Sequence, residues 1–188
     1  MALSESLLIH AVVARSRANG PGERMAVWVQ GCSLACAGCF NPETHHGGAG
    51  ERRSVDGLVA LAAGLGVEGV TLTGGEPLEQ PDGVAAFGAE LKRRTGLGLI
   101  ILTGYSRREI EADPARLRAV ADADLVVAGR YQRRAHLGGA LRGSVNKVYW
   151  WRTERYRRAD LDAVPELEVI VGADGTMTIT GMAAPAIG

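Results

Sequence analysis

The chain has 188 residues, 46% of them hydrophobic, which is enough for one compact domain with a sizeable core. Its 21 basic and 21 acidic residues cancel, so bulk charge gives no case for nucleic acid or an anionic membrane as a partner. No stretch approaches the roughly 18–20 consecutive apolar residues of a membrane helix. The opening MALSESLLIHAVVARSRANG, with Glu5 early and no basic start, does not read as a signal peptide.

In chain order, residues 25–30 (MAVWVQ) are apolar and β-prone and run straight into Gly31-Cys32, a strand that delivers a cysteine loop at its carboxyl end. SVDGLVALAAGLG (54–66) places Val55, Leu58, Val59, Ala62 and Leu65 on one face of a helix begun by Ser54. A second strand, 69–73, ends in the glycines of TLTGGEP, and 82–95 is a helix opened by Asp82. A third strand spans 98–103, DPARLRAVADA is a helix with Pro114 in its first turn, and DLVVAG (124–129) is the fourth strand. ELEVIVGADGTMTIT gives two β-prone runs around Asp174-Gly175, a hairpin.

Strands alternating with helices predict right-handed βαβ units and a parallel sheet. A full barrel of such units takes about 250 residues, so the expected fold is a single-domain α/β partial open barrel over 1–188, with four to six parallel strands and a C-terminal β-hairpin. Ligands of such folds bind at the carboxyl ends of the strands. Four loops should therefore meet on one face: Cys32 onward, Gly74–Pro77, Thr103–Tyr105 and Gly129 onward.

The three cysteines, Cys32, Cys36 and Cys39, fall within eight residues. In a chain without export signals they imply a reducing cytoplasm and thiols that serve metals or redox chemistry. Four thiolates complete an ordinary cubic iron–sulfur cluster. Three leave one iron without a protein ligand, as catalytic metal sites leave a position open. Two other readings compete: a zinc knuckle with His45 or His46 as fourth ligand, which would make the chain a non-catalytic adaptor, and a ferredoxin-like cluster, which lacks its fourth cysteine.

Cys32-x3-Cys36-x2-Cys39 followed by Phe40 resembles the signature of the radical S-adenosylmethionine (SAM) superfamily, and TLTGGEPLEQ (71–80) resembles its GGEP motif. The stretch NGPGERMAVWVQGCSLACAGCFNPETH (19–45) is similar to the activating enzymes of glycyl-radical proteins. LTGYSRREI, ADLVVAGRY…LRGSVNKV and ADGTMTITGM resemble the anaerobic ribonucleotide reductase activase subgroup. The resemblance implies a 4Fe–4S cluster on Cys32, Cys36 and Cys39 whose open iron binds SAM. It implies SAM contacts from Gly38, Phe40, Thr73, Gly74, Gly75, Glu76, Thr103 and Asn146. It also implies a one-electron donor such as flavodoxin or ferredoxin and a glycyl-radical protein as substrate, with no nucleic acid or membrane partner. A radical SAM enzyme acting on a small molecule or peptide is the alternative. The chain departs from the family pattern at Asn19, His45, Ala128 and Lys147.

Of the remaining residues, Glu76 reads as a side-chain tie for its loop more than as a base, and Trp150-Trp151 as packing. His45 and His46 read as solvated loop side chains, and His10 and His136 have no partner pattern. Segment 129–147 is long, polar and glycine-rich, and its Arg130, Arg133, Arg134 and Arg142 are expected to face the macromolecular partner and to contribute little to SAM cleavage.

Overall fold

The computed structural model describes residues 5–183. Its strands in chain order are β1 (Ser6–Ser16), β2 (Arg24–Val29) and β3 (Glu51–Ser54), then helix α1 (Val55–Leu65) and β4 (Gly69–Gly74). Helix α2 (Pro81–Thr95), β5 (Gly98–Thr103), α3 (Arg107–Glu111), α4 (Pro114–Ala119) and β6 (Leu125–Ala128) follow. The last part holds β7 (His136–Gly139), β8 (Arg142–Ser144), β9 (Val148–Trp151), α5 (Arg158–Asp162), β10 (Leu167–Val171) and β11 (Met177–Gly181).

Seven strands form one sheet in the order β3-β1-β2-β4-β5-β6-β9. The central four, β2, β4, β5 and β6, are parallel, and they are the apolar runs legible in the sequence. All of β5 and β6 is buried, as expected of strands covered on both faces. The expected parallel sheet forms the centre, and β1, β3 and β9 extend it with antiparallel pairings at its margins. β1 was not anticipated. Only its first half alternates, with Leu7 and Ile9 buried, so the pattern is short. β9 carries Trp150, 8% exposed, into the core, as its packing role requires.

Helix α1 starts at the Ser54 cap, whose side chain accepts from Gly57 N. Helix α2 begins one residue before Asp82, at Pro81, with Gln80 in the cap position. Leu58, Val59 and Ala62 of α1 and Val84, Phe87 and Leu91 of α2 cover one face of the sheet. On the other face Ile100, Leu102, Leu125 and Val127 pack under Leu141, Tyr156, Leu161 and Val164. The expected C-terminal hairpin is β10 paired with β11, with Gly175 at φ 84° in its turn.

The GPG-x-R stretch supplies an architectural clamp through Arg24. Arg24, fully buried, sits at the first residue of β2 and donates to Thr71 Oγ1, Pro21 O, Tyr156 OH, Val70 O and Gly98 O at 2.6–3.3 Å. It ties β2, β4 and β5 together at the end opposite the cysteine loop.

Candidate active site

β2 ends at Val29, and the cysteine loop that follows is closed at its base by the main chain. Gly31 N donates to Thr44 O at 2.7 Å and Cys32 N to His45 O at 3.2 Å. The Gln30 side-chain amide adds bonds to Glu43 O and His46 O, while its oxygen accepts from His10 Nδ1 at 2.8 Å. From the neighbouring β4 loop, Glu79 accepts from both Ser33 N and Ser33 Oγ. Gln80 donates to Gln30 O and Leu8 O.

The GGEP turn is welded to this loop. Gly75 N donates to Val29 O and Glu76 N to Gly31 O, both at 2.8 Å. Gly74 has φ 97°, and a Cβ there would lie 2.6 Å from Trp28 Cα. A Cβ on Gly75 would lie 2.3 Å from Gly31 O. The close press of the cysteine loop therefore requires glycine at position 75.

Glu76, 1% exposed, bridges to the third loop. Its carboxylate accepts from Thr103 Oγ1 (2.7 Å), Gly104 N (2.7 Å) and Leu78 N (2.9 Å). Burial pushes its pKa up, and those three donors oppose the shift. The expected tie is what the geometry shows. The fourth loop arrives through Lys147, whose Nζ donates to Gly129 O (2.7 Å) and Thr103 O (3.2 Å). Burial lowers the Lys147 pKa, opposed by Glu76 and by the thiols of Cys36 and Cys39.

The four loops line one cavity that is partly open to solvent. Cys32, Cys36, Cys39, Phe40, Thr73, Gly74, Gly75, Glu76 and Thr103 all line it. Two residues of the expected set do not. Gly38 (φ 72°) backs against the Arg133 stem, where a Cβ would meet Cδ at 2.7 Å. Asn146 is exposed and donates to Arg130 O at 2.9 Å, securing its own loop.

Other residues depart from their sequence reading. His45 is half-buried and lines the cavity, and its Nε2 is buried without a hydrogen-bond partner among the described residues. His46 is exposed and accepts from Gly48 N in a local turn. Segment 129–147 is part of the cavity wall and not a free arm: Tyr131 and Lys147 line it. Tyr131 stacks on Phe40 with centroids 4.7 Å apart, and His136 lies 5.4 Å from Phe40. Arg130 is engaged with Glu109 at 3.0 Å and Gly104 O at 2.7 Å. Periodicity does not report such distant pairings, so Tyr131, His136, Lys147, Glu79 and Gln80 escaped the sequence reading.

The donor set fits an iron–sulfur cluster. All three cysteines are free thiols of intermediate burial. Burial pushes the Cys32 and Cys39 thiols up, so bound metal, not the protein alone, would hold them as thiolates. Among the described residues no three His, Cys, Asp or Glu side chains converge on a point suited to one metal ion. All three thiols line one cavity beside the glycines of the GGEP turn, and thiols are the donors that iron–sulfur clusters take.

Comparison with known proteins agrees with this geometry. Residues 18–150 match the family described as "4Fe-4S single cluster domain". The anaerobic ribonucleoside-triphosphate reductase-activating protein of Pasteurella multocida is 30% identical over 146 residues, covering 72% of this chain and 92% of its own. Its counterpart in Enterobacteria phage T4 is 29% identical over 142 residues, 72% of this chain and 88% of its own. The pyruvate formate-lyase-activating enzyme of Listeria monocytogenes is 38% identical over 85 residues, 42% of this chain and 34% of its own.

Proposed function

The chain belongs to the radical SAM activating proteins built on the 4Fe-4S single cluster domain, and from that premise we propose that it generates a glycyl radical on a partner of the anaerobic ribonucleotide reductase type. Its cofactors are a 4Fe–4S cluster and SAM. When bound, the two supply reductive cleavage of SAM to methionine and a 5′-deoxyadenosyl radical, the species that removes a hydrogen atom from the partner.

The chain's own residues position and enclose. Cys32, Cys36 and Cys39 would hold the cluster by three thiolates, leaving one iron available to SAM. The backbone of Gly74 to Glu76, with Thr73 and Thr103 beside it, would hold the methionyl group, and Phe40 with Tyr131 forms the aromatic side of the cavity. Lys147, pinned by two carbonyls, presents a nitrogen to the same space. The sheet is read as a partial barrel with an open lateral side, suited to a macromolecular substrate and a cytoplasmic one-electron donor such as flavodoxin. The observation that carries this reading is the meeting of three unpaired thiols with the GGEP turn in one cavity.

The test mixes the reconstituted chain, SAM and reduced flavodoxin with an anaerobic ribonucleoside-triphosphate reductase and follows the electron paramagnetic resonance of a glycyl radical. The reading expects that signal to appear only with SAM present. Formation of 5′-deoxyadenosine with no radical on the reductase would favour a small-molecule or peptide substrate instead.

A further inference from the structure

A second groove opens off the thiol cavity. Phe40, Asn41, Thr73 and Met182 line both spaces, so the two adjoin across these four residues. One wall of the groove is formed by His10, Ala11 and Val13 of β1 with Trp28 of β2. Along the other wall run six consecutive residues, Thr178 to Ala183.

Successive strand residues point to opposite faces, so an unbroken run along one wall means that β11 turns its edge to the groove. Among the described residues, the main chain of Thr178, Ile179 and Thr180 makes no hydrogen bond beyond its ladder with β10. An unpaired strand edge is a template for the backbone of another chain. The edge is held in place, because Glu168 Oε2 accepts from Ser16 Oγ (2.6 Å) and Arg17 N (2.9 Å), and Asn19 Nδ2 donates to Thr180 Oγ1 (2.8 Å). Ile179 is nevertheless 49% exposed beside the groove. Among the described residues lining it, Glu43 alone carries a formal charge at neutral pH.

We propose that this groove takes an extended, uncharged segment of the partner protein, added as a third strand along the free edge of β11, with its glycine carried past Phe40 and Thr73 to the thiol cavity. The proposal rests on the activase reading and names the surface that reading needs. A glycine suits the passage because no side chain shields its Cα. One Cα–H bond of that glycine breaks, the hydrogen atom completes the methyl group of 5′-deoxyadenosine, and the unpaired electron stays on the glycine.

The probe is a synthetic peptide spanning the radical-bearing glycine of an anaerobic ribonucleoside-triphosphate reductase, deuterated at that Cα. With the reconstituted chain, the peptide should slow amide exchange across Thr178–Gly181 and place deuterium in 5′-deoxyadenosine. Ile179→Glu should weaken peptide binding about tenfold or more and cut deuterium transfer equally, with peptide-independent SAM cleavage unchanged. Deuterium transfer with exchange at Thr178–Gly181 unaltered, or peptide binding by Ile179→Glu as tight as wild type, would overturn the groove and leave the activase reading standing. Protection of that edge that grows with protein concentration and needs no peptide would overturn the groove in favour of a second copy. A wild-type chain that cleaves SAM yet neither binds the peptide nor gains deuterium would overturn both.

Discussion

Gly75 and Gly31 meet backbone to backbone: a Cβ added to Gly75 would stand 2.3 Å from the Gly31 carbonyl oxygen, whose other contact is the Glu76 amide at 2.8 Å. The GGEP turn and the thiol loop are therefore one rigid unit. Gly75→Val should lose iron loading and SAM binding together, not SAM binding alone. Gly75→Ala should cost about 1–3 kcal/mol in overpacking. Iron content and denaturant unfolding of the two variants check both expectations.

Glu76 accepts three hydrogen bonds, two of which join the second loop to the third. In Glu76→Gln one oxygen becomes an NH2 donor facing an N–H or O–H donor, so a buried group is left unpaired. The expected loss is about 1–3 kcal/mol, against about 1 kcal/mol for each of the two bonds that Thr103→Val removes, the one to Glu76 and the one Thr103 Oγ1 accepts from Tyr105 N. Denaturant midpoints at constant m-value measure the difference.

At the opposite end of the sheet, Arg24→Met should cost about 3 kcal/mol or more, because it strips partners from buried oxygens on β4, β5 and Tyr156. The thiol loop is remote from this clamp. The variant should therefore still load iron at low temperature while its thermal midpoint falls.

A pH effect follows from the Ser106–Glu109 cap. Hydrogen bonds from the Ser106 side chain and backbone, with Arg130 beside them, hold the Glu109 carboxyl at about 2, below its ordinary 4.5. A depressed carboxyl contributes stability that is complete above the ordinary value and is lost as pH falls from 4.5 toward 2. The group is exposed and screened, so the effect stays under about 1 kcal/mol. Thermal midpoints of the metal-free chain between pH 6 and pH 3 should fall more steeply for wild type than for Glu109→Gln.

Arg133 and Arg134 differ in what they touch. The Arg133 stem lies over Gly38 in the thiol loop, so Arg133→Ala should shorten the lifetime of the bound cluster in air, measured by loss of visible absorption. Arg134→Ala should leave it unchanged.

The parallel core was legible because β2, β4, β5 and β6 are mostly buried and rich in β-prone apolar residues. α1 was legible from the Ser54 cap. The thiols and GGEP stood out because their chemistry needs contiguous residues. What escaped depends on pairing between distant parts of the chain. β1 is only half patterned, and its bonds to Gln30 and Gln80 anchor both site loops. Segment 129–147 looks like a polar arm until Tyr131 meets Phe40 and Lys147 reaches Thr103 O. Of the arginines assigned to a partner, Arg130 is spent instead on Glu109 and Gly104.

The most direct measurement is anaerobic reconstitution with iron and sulfide, comparing wild type with Cys36→Ala. The account requires four irons per wild-type chain held by three thiolates, broad visible absorption, and 5′-deoxyadenosine formed from SAM under reducing conditions. Cys36→Ala should keep most of its fold and lose SAM cleavage, because the thiols line a cavity at the strand ends and not the core. Full SAM cleavage by Cys36→Ala, or a wild-type chain that purifies with one stoichiometric zinc and forms no cluster, would contradict it.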